Sequence, residues 1–355
     1  MSNRPLLSSD ALSALQGMTL TRFNTLGLTC EAKQVLTLTS QAQLPEVTAR
    51  AREAGGILVL GGGSNVVLPA ELDRLVLRVA LKGISPVESS DQTAWRIDVA
   101  AGENWHDWVE IATKNGWFGL ENLALIPGTV GAAPVQNIGA YGVELQDRIE
   151  SVTAWHIPEG RLVTLSKDAC GFAYRDSIFK RDVLGTWLIV SVRFLLPKKW
   201  VPVLSYPDLK SHAVLSRLEP AHIKADQILQ AVCEIRRAKL PDPAVLGNAG
   251  SFFKNPVVSE TQYLLLKAQF PALMAYPQSD QTFKLSAGWL IERCGWKGKR
   301  LGAVGVHDRQ ALVLVNYGGA QASALMALAQ EVSASVKAQF GVDLEIEPVV
   351  VSSSV

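Results

Sequence analysis

Cysteine is scarce in this 355-residue chain. Cys30, Cys170, Cys233 and Cys294 stand far apart with no CxxC pair, and a chain this long needs no disulfides to fold, so a reducing compartment is expected. The five histidines, His106, His156, His212, His222 and His307, form no HxxxH or HxH pair; no metal site is expected. Charge is sparse and balanced: 34 Lys plus Arg against 33 Asp plus Glu leave +1, which gives no overall reason to bind nucleic acid or an anionic membrane. An anionic ligand must therefore meet a local cluster. No apolar run approaches the roughly 20 residues that span a bilayer. The opening Met1-Ser2-Asn3-Arg4-Pro5 continues without an apolar leader core, so a cytoplasmic protein is expected. Neither the GxGxxG of a dinucleotide fold nor the Gly-Lys-Ser/Thr of a P-loop is present, which excludes the common kinase and NTPase designs.

What is present is apolar and periodic. Hydrophobic residues make up 48% of the chain against 19% charged, enough for a large core, and at about 150 residues per domain two or three units are expected. A strand at Val35–Thr39 precedes a helix carrying Leu44, Val47, Ala51 and Ala54 on one face, closed by Gly55-Gly56. Ile57–Leu60 then reads as a buried strand running into Gly61-Gly62-Gly63-Ser64-Asn65. Strands follow at Arg96–Ala100, Val152–His156 and Trp187–Leu195, with a helix at Trp105–Lys114. Residues 197–224 are irregular, with Pro197, Pro202, Pro207 and Pro220, and read as an excursion. Helices at Asp226–Arg237 and Gln321–Phe340 follow, and the alternation from Val342 to Glu347 predicts a last strand with Glu345 and Glu347 on one face. Strands and helices do not alternate strictly, so the fold class is α+β.

Two glycine-rich stretches concentrate the chemistry. Gly61-Gly62-Gly63-Ser64-Asn65 can expose successive backbone N–H groups as an uncharged nest for a pyrophosphate. In Ile126–Gly142, four glycines, three alanines and two prolines leave few bulky side chains, while Thr129, Gln136 and Asn137 add polar groups of the kind that orient a flat polar ring system.

Together with Asn24-Thr25, Tyr174-Arg175-Asp176-Ser177-Ile178-Phe179-Lys180 and the segment from Gly247 to Pro256, these stretches resemble the UDP-N-acetylenolpyruvoylglucosamine reductases, the MurB family. The resemblance runs from about residue 20 to about 350. It implies an enzyme of peptidoglycan precursor synthesis with a PCMH-type FAD-binding domain of two α+β subdomains and a C-terminal α+β substrate-binding domain. The implied segments are 1–80, 81–224 with the loop 197–224, 225–340, and a strand within 341–355 that returns to the active site. By the same resemblance FAD would be bound non-covalently, NADPH would reduce it, and the enolpyruvyl ether of UDP-N-acetylglucosamine would become UDP-N-acetylmuramate. A monomer is expected.

Residue by residue, the resemblance assigns FAD contacts to Asn24, Thr25, Gly61, Gly62, Gly63, Ser64, Asn65, Pro127, Gly128, Thr129, Gly131, Ala132, Gln136, Asn137, Gly139, Ala140 and Tyr141. It assigns the UDP-sugar to Tyr174, Tyr206, Lys239, Asn255 and Gln310, with Tyr206 in the excursion that marks the longer of the family's two types. As catalytic groups the resemblance implies Arg175 for the carboxylate, Ser251 as proton donor, and the acid Glu347, with Glu345 as the alternative because Pro348-Val349 replaces the family's Val-Arg. Read without the family, Arg175 suits a salt bridge with Asp176, Ser251 a turn, Lys239 a helix C-terminus and Tyr206 a loop anchor. The sequence leaves NADPH against NADH open.

Overall fold

The computed structural model describes residues 12–88, 91–278 and 280–354; the opening run read for a leader lies within residues 1–11, outside the described residues. The spacing of apolar residues explains the first layer. Glu31–Leu38 forms a strand four residues earlier than its apolar run suggests, burying Ala32, Val35, Leu36 and Leu38. Helix Leu44–Glu53 buries Leu44, Val47, Thr48 and Ala51. It stops where the Gly56 N–H closes back on the Ala51 carbonyl at 2.9 Å. The chain then returns as Ile57–Leu60, and Leu75–Val79 lies between this strand and Glu31–Leu38, parallel to both. Ser13–Thr19 and Glu71–Leu72 complete a five-stranded mixed sheet.

A second, antiparallel sheet has the spatial order Arg161–Ser166, Ile149–His156, Trp187–Pro197, Ala94–Ala100, Ile84–Pro86. Helix Trp105–Lys114 packs on it through Trp105 and Trp108, whose rings lie 6.1 and 5.1 Å from that of Phe194. Full burial of a side chain such as Phe194 is worth about 1.5–3 kcal/mol. Residues 197–224 are irregular apart from short turns such as Pro207–Lys210. Leu209, Leu215 and Ile223 nonetheless join the same core as Trp108 and Val232, so the excursion is packed onto helix Ala225–Lys239.

The third unit has a sheet ordered Gly247–Asn248, Leu314–Asn316, Val304–Val306, Arg300–Leu301. Helix Ala322–Phe340 covers it with Leu325, Leu328, Val332 and Val336, and Gly341 ends the helix at φ 66°. The strand expected over 342–347 is corrected: the segment is extended but pairs only through the bridge Phe253–Ile346, and the strand that follows is Val349–Val350, parallel to Val66–Val67. The expected alternation fails at its end. Glu345 is exposed while Glu347 is buried, so the two acids do not share a face. Among the described residues no helix is long and apolar enough to cross a membrane, and no group of His, Cys, Asp and Glu could hold a metal ion.

Candidate active site

The two glycine-rich stretches meet backbone to backbone. A Cβ on Gly62 would fall 2.8 Å from Gly128 Cα, one on Gly61 would fall 2.8 Å from Thr129 Oγ1, and one on Gly131 would fall 2.5 Å from Ala101 Cβ. At Gly63, with φ 61°, a Cβ would fall 1.9 Å from the Phe23 carbonyl oxygen. All four glycines are therefore required by space, and Gly63 by conformation as well.

Above this contact lie two adjoining cavities of about 320 and 870 Å³, with Gly62, Thr129, Arg236 and Gly250 in the walls of both. Cofactor and ligand clefts commonly have volumes of about 300–1,000 Å³. Among the described residues none of the amide N–H groups from Gly61 to Asn65 donates to a protein group, and the buried Thr129 hydroxyl has no partner. A row of unpaired donors in a glycine cradle suits a phosphate-bearing cofactor, and the adjoining small residues suit a flat ring system. The residues present fit FAD.

Three groups assigned to catalysis line the smaller cavity. Arg175, held at φ 55°, donates from Nε to Glu347 Oε1 at 3.1 Å and from a terminal nitrogen to the Gly139 carbonyl at 2.8 Å. Its five N–H groups leave donors for a further anion. Glu347 is 8% exposed, and burial pushes its carboxyl up from the ordinary range against the opposing pull of Arg175 and Lys180. Its backbone is lashed in place: the Glu347 N–H donates to Phe252 at 2.9 Å, and its carbonyl accepts from Lys180 Nζ at 3.3 Å. Ser251 joins them on the cavity wall. The turn carrying Ser251 is fixed by buried Asn248, which donates to the Pro241 and Leu246 carbonyls and accepts from Gly250 N–H at 2.9 Å. Glu345 is turned away, with its side chain 71% exposed and paired with Lys254. Of the two acids, Glu347 alone lines the cavity.

The other expected residues divide by their surroundings. Gly61, Gly62, Gly63, Ser64, Asn65, Pro127, Thr129, Gly131, Ala132, Gln136 and Gly139 line the smaller cavity; Thr25 and Gly128 line the larger. Asn65 bridges the two stretches, donating to Gln136 Oε1 at 2.5 Å. Asn24 and Asn137 lie outside both walls. Asn24 donates to Leu20 and Leu28 carbonyls, and Asn137, fully buried, bonds Glu144, Ala173 and Gln146. Both act on loop shape. Ala140 and Tyr141 also lie outside the walls; Tyr141 meets Tyr206 edge-on at 5.1 Å.

The residues assigned to the UDP-sugar are not gathered in either wall. Lys239 pairs with Asp208 at 2.6 Å, Asn255 accepts from the Ala287 N–H at 3.0 Å at the start of helix Ala287–Arg293, and Gln310 accepts from Leu312 N–H at 3.4 Å. Tyr174 carries Lys284 Nζ over its ring at 3.9 Å, and burial raises its phenol.

Sequence reasoning missed two cations. Arg236 stands in both walls beside the Tyr141 hydroxyl. Lys180 lines the smaller cavity, and burial pushes its ammonium pKa down. Arg236 follows Val232 by four residues and Leu229 by seven, so it falls on the apolar stripe of its helix, and a cation at that position was the signal that could have found it. They supply local positive charge that the net balance of the chain conceals.

Comparison with known proteins agrees with this arrangement. Residues 32–166 match the FAD binding domain family, and residues 242–351 match the family described as UDP-N-acetylenolpyruvoylglucosamine reductase, C-terminal domain. The chain is 58% identical over 338 residues to the UDP-N-acetylenolpyruvoylglucosamine reductase of Bordetella pertussis, covering 95% of each. It is 50% identical over 341 residues to that of Paraburkholderia phymatum, covering 96% of this chain and 98% of the relative. The crystal structure of the MurB reductase from Thermus caldophilus superposes with a TM-score of 0.64 at 24% identity, covering 96% of this chain and 99% of that one, which extends the likeness to the fold. By near-full-length identity, this chain belongs to the UDP-N-acetylenolpyruvoylglucosamine reductase family.

Proposed function

We propose that the chain reduces the enolpyruvyl ether of UDP-N-acetylglucosamine to UDP-N-acetylmuramate with NADPH, as a step in peptidoglycan precursor synthesis. The observation that carries the reading is the convergence of Arg175, Ser251 and Glu347 on one cavity whose facing wall is the glycine cradle. Bound FAD would supply the hydride-transfer chemistry that links NADPH to the enolpyruvyl group. The residues that would hold it are Gly61 to Asn65 through their amides and Thr129 through its hydroxyl, with the small residues from Gly131 to Gly139 beside the ring system.

The chain's own groups handle the charge that hydride addition leaves on the carbon next to the carboxylate. Arg175 binds that carboxylate and stabilises the enediolate-like species with donors already fixed by Glu347 and Gly139. The Ser251 hydroxyl delivers its proton to the carbon, and the resulting alkoxide recovers a proton from solvent. Glu347, buried and raised, orients Arg175 when ionised and donates a hydrogen bond to the enediolate oxygen when protonated. In this reading residues 1–80 and 81–224 embrace FAD, 225–340 carry the UDP-sugar contacts, and the tail from 341 completes the site. Tyr206, Lys239, Asn255, Gln310 and Tyr174 contact the sugar nucleotide once the 197–224 loop adjusts over it. The protein acts in the cytoplasm as a monomer, apart from nucleic acid and membranes.

The test is anaerobic. NADPH should bleach the flavin of the purified protein, and the UDP-enolpyruvyl sugar should restore the oxidised spectrum with UDP-N-acetylmuramate as product. Bleaching of the oxidised flavin by a simple alcohol or sugar donor, with no reoxidation of the reduced flavin by this substrate, would overturn the reading.

A further inference from the structure

Asn122 has no part in the cavities and yet is 2% exposed. Its amide nitrogen donates twice, to the Tyr141 carbonyl at 2.9 Å and to the Val203 carbonyl at 3.0 Å. The first acceptor is the penultimate residue of the second glycine-rich stretch; the second belongs to the 197–224 excursion. One side chain thus ties the cofactor stretch to the loop bearing Tyr206.

The seam around it is built for close approach. Gly142, at φ 86°, has no side chain where a Cβ would fall 2.5 Å from Ser205 Oγ and 3.3 Å from Val203 Cγ1. Tyr141 and Tyr206 meet edge-on, and the Tyr141 hydroxyl reaches Arg236 in the cavity wall. At the loop's start Trp200 packs on Phe118 at 5.7 Å and hydrogen-bonds buried Glu121, whose carboxylate also takes the Gly119 N–H at 2.8 and 3.0 Å. Glu121 and Asn122 are neighbours in one helical turn, Glu121–Leu123, itself packed under helix Trp105–Lys114 by the Trp105 indole bond to the Leu123 carbonyl at 2.8 Å. The loop therefore has a rigid seat.

We propose that Asn122 is a positioning residue that sets the register of the Tyr206 loop against the cofactor stretch, so that the loop presents Tyr206 to the sugar nucleotide. The assignment of Tyr206 to substrate rests on the function proposed above. An unpaired buried carbonyl is unfavourable, so losing the Asn122 amide releases the loop at Val203 while the cavity walls keep every other residue.

The test uses Asn122→Ala and, from the other side of the seam, Gly142→Ala in the full chain with its flavin. The expected result is a rise of about tenfold in KM for the UDP-enolpyruvyl sugar, equivalent to about 1.4 kcal/mol, with the rate of flavin bleaching by NADPH within about twofold of wild type. Tryptic cleavage at exposed Lys210 and Arg217 should speed up in either folded variant. Unchanged KM with unchanged cleavage would overturn the proposal, as would equal slowing of both half-reactions. If the wild-type flavin is not reoxidised by this sugar, the functional reading fails by itself, and the cleavage rates still decide whether Asn122 seats the loop. Should one variant fail to fold, the other decides.

Discussion

A single methyl group at Gly62 should weaken cofactor binding. Its Cβ would stand 2.8 Å from Gly128 Cα, 3.2 Å from Gly128 C and 3.6 Å from Thr129 N. Neither side can retreat. Gly128 is held by its carbonyl bond from the Trp105 N–H at 3.1 Å, and the Asn104–Thr129 bridge pins the next residue. On the other side Gly63 already lies against Phe23, and Thr25 N–H bonds the Gly63 carbonyl at 3.0 Å. Overpacking a rigid contact costs about 1–3 kcal/mol. Because the strain falls on the amides that hold the cofactor, most of it should appear in affinity, a loss of about 5–150-fold in Kd. Quenching of FAD fluorescence on titration into deflavinated protein measures this, with melting of the same preparation as the control. If Gly62→Ala binds FAD within twofold of wild type while melting normally, the cradle is not where the cofactor sits.

Other outcomes follow from the same geometry. Glu347→Gln should slow reoxidation by the enolpyruvyl substrate about 10²–10⁴-fold, whereas Glu345→Gln, whose acid faces solvent beside Lys254, should retain turnover within about threefold; stopped-flow traces of both variants check the choice. Melting against pH gives a second test of Glu347. Its raised carboxyl, like that of Glu121, favours the proton in the folded state, so its contribution is present below the unfolded carboxylate value of about 4.3 and is lost as pH rises through the folded value. Glu347→Gln should flatten the wild-type decline that sets in above the unfolded carboxylate value of about 4.3, and an unchanged slope would contradict the assignment. Lys180→Met removes the ammonium that joins the Arg175 and Glu347 carbonyls, bonds of 3.2 and 3.3 Å; it should slow reoxidation about tenfold or more, since hydrogen bonds to charged groups are worth about 1.5–3 kcal/mol.

Much of this was legible in the chain itself. Helix Trp105–Lys114 was readable to the residue because Trp105, Trp108, Val109 and Ala112 repeat at helical spacing, and Asn104 caps it by accepting from His106 and Asp107 N–H. The glycine stretches were readable because a triple glycine and a run of glycines and alanines have few uses other than close backbone approach. The tail misled. Alternation from Val342 to Ile346 records which residues face inward, and a chain can alternate without a strand beside it; here single bonds from Lys254 and to Phe252 replace a ladder. That irregularity is what buries Glu347 out of phase with Glu345. Asn24 and Asn137 show a different limit. An amide that shapes a loop and one that touches a ligand share the same residue type, and only the folded turn separates them: Asn24 bonds Leu20 and Leu28 on either side of it, and Asn137 bonds Ala173, 36 residues on. Arg236 was hidden for the same reason, since its neighbour Tyr141 is contributed by a loop far along the chain.

The central claim is that Ser251 protonates a carbon whose charge is held by Arg175 and Glu347, a role confined to the second half of the cycle. Rapid-mixing measurement of both half-reactions in Ser251→Ala tests it most directly. The account predicts flavin bleaching by NADPH at the wild-type rate and recovery of the oxidised spectrum by the UDP-enolpyruvyl sugar slowed by at least about 10²-fold. Equal loss in both steps, or recovery at the wild-type rate, would contradict it.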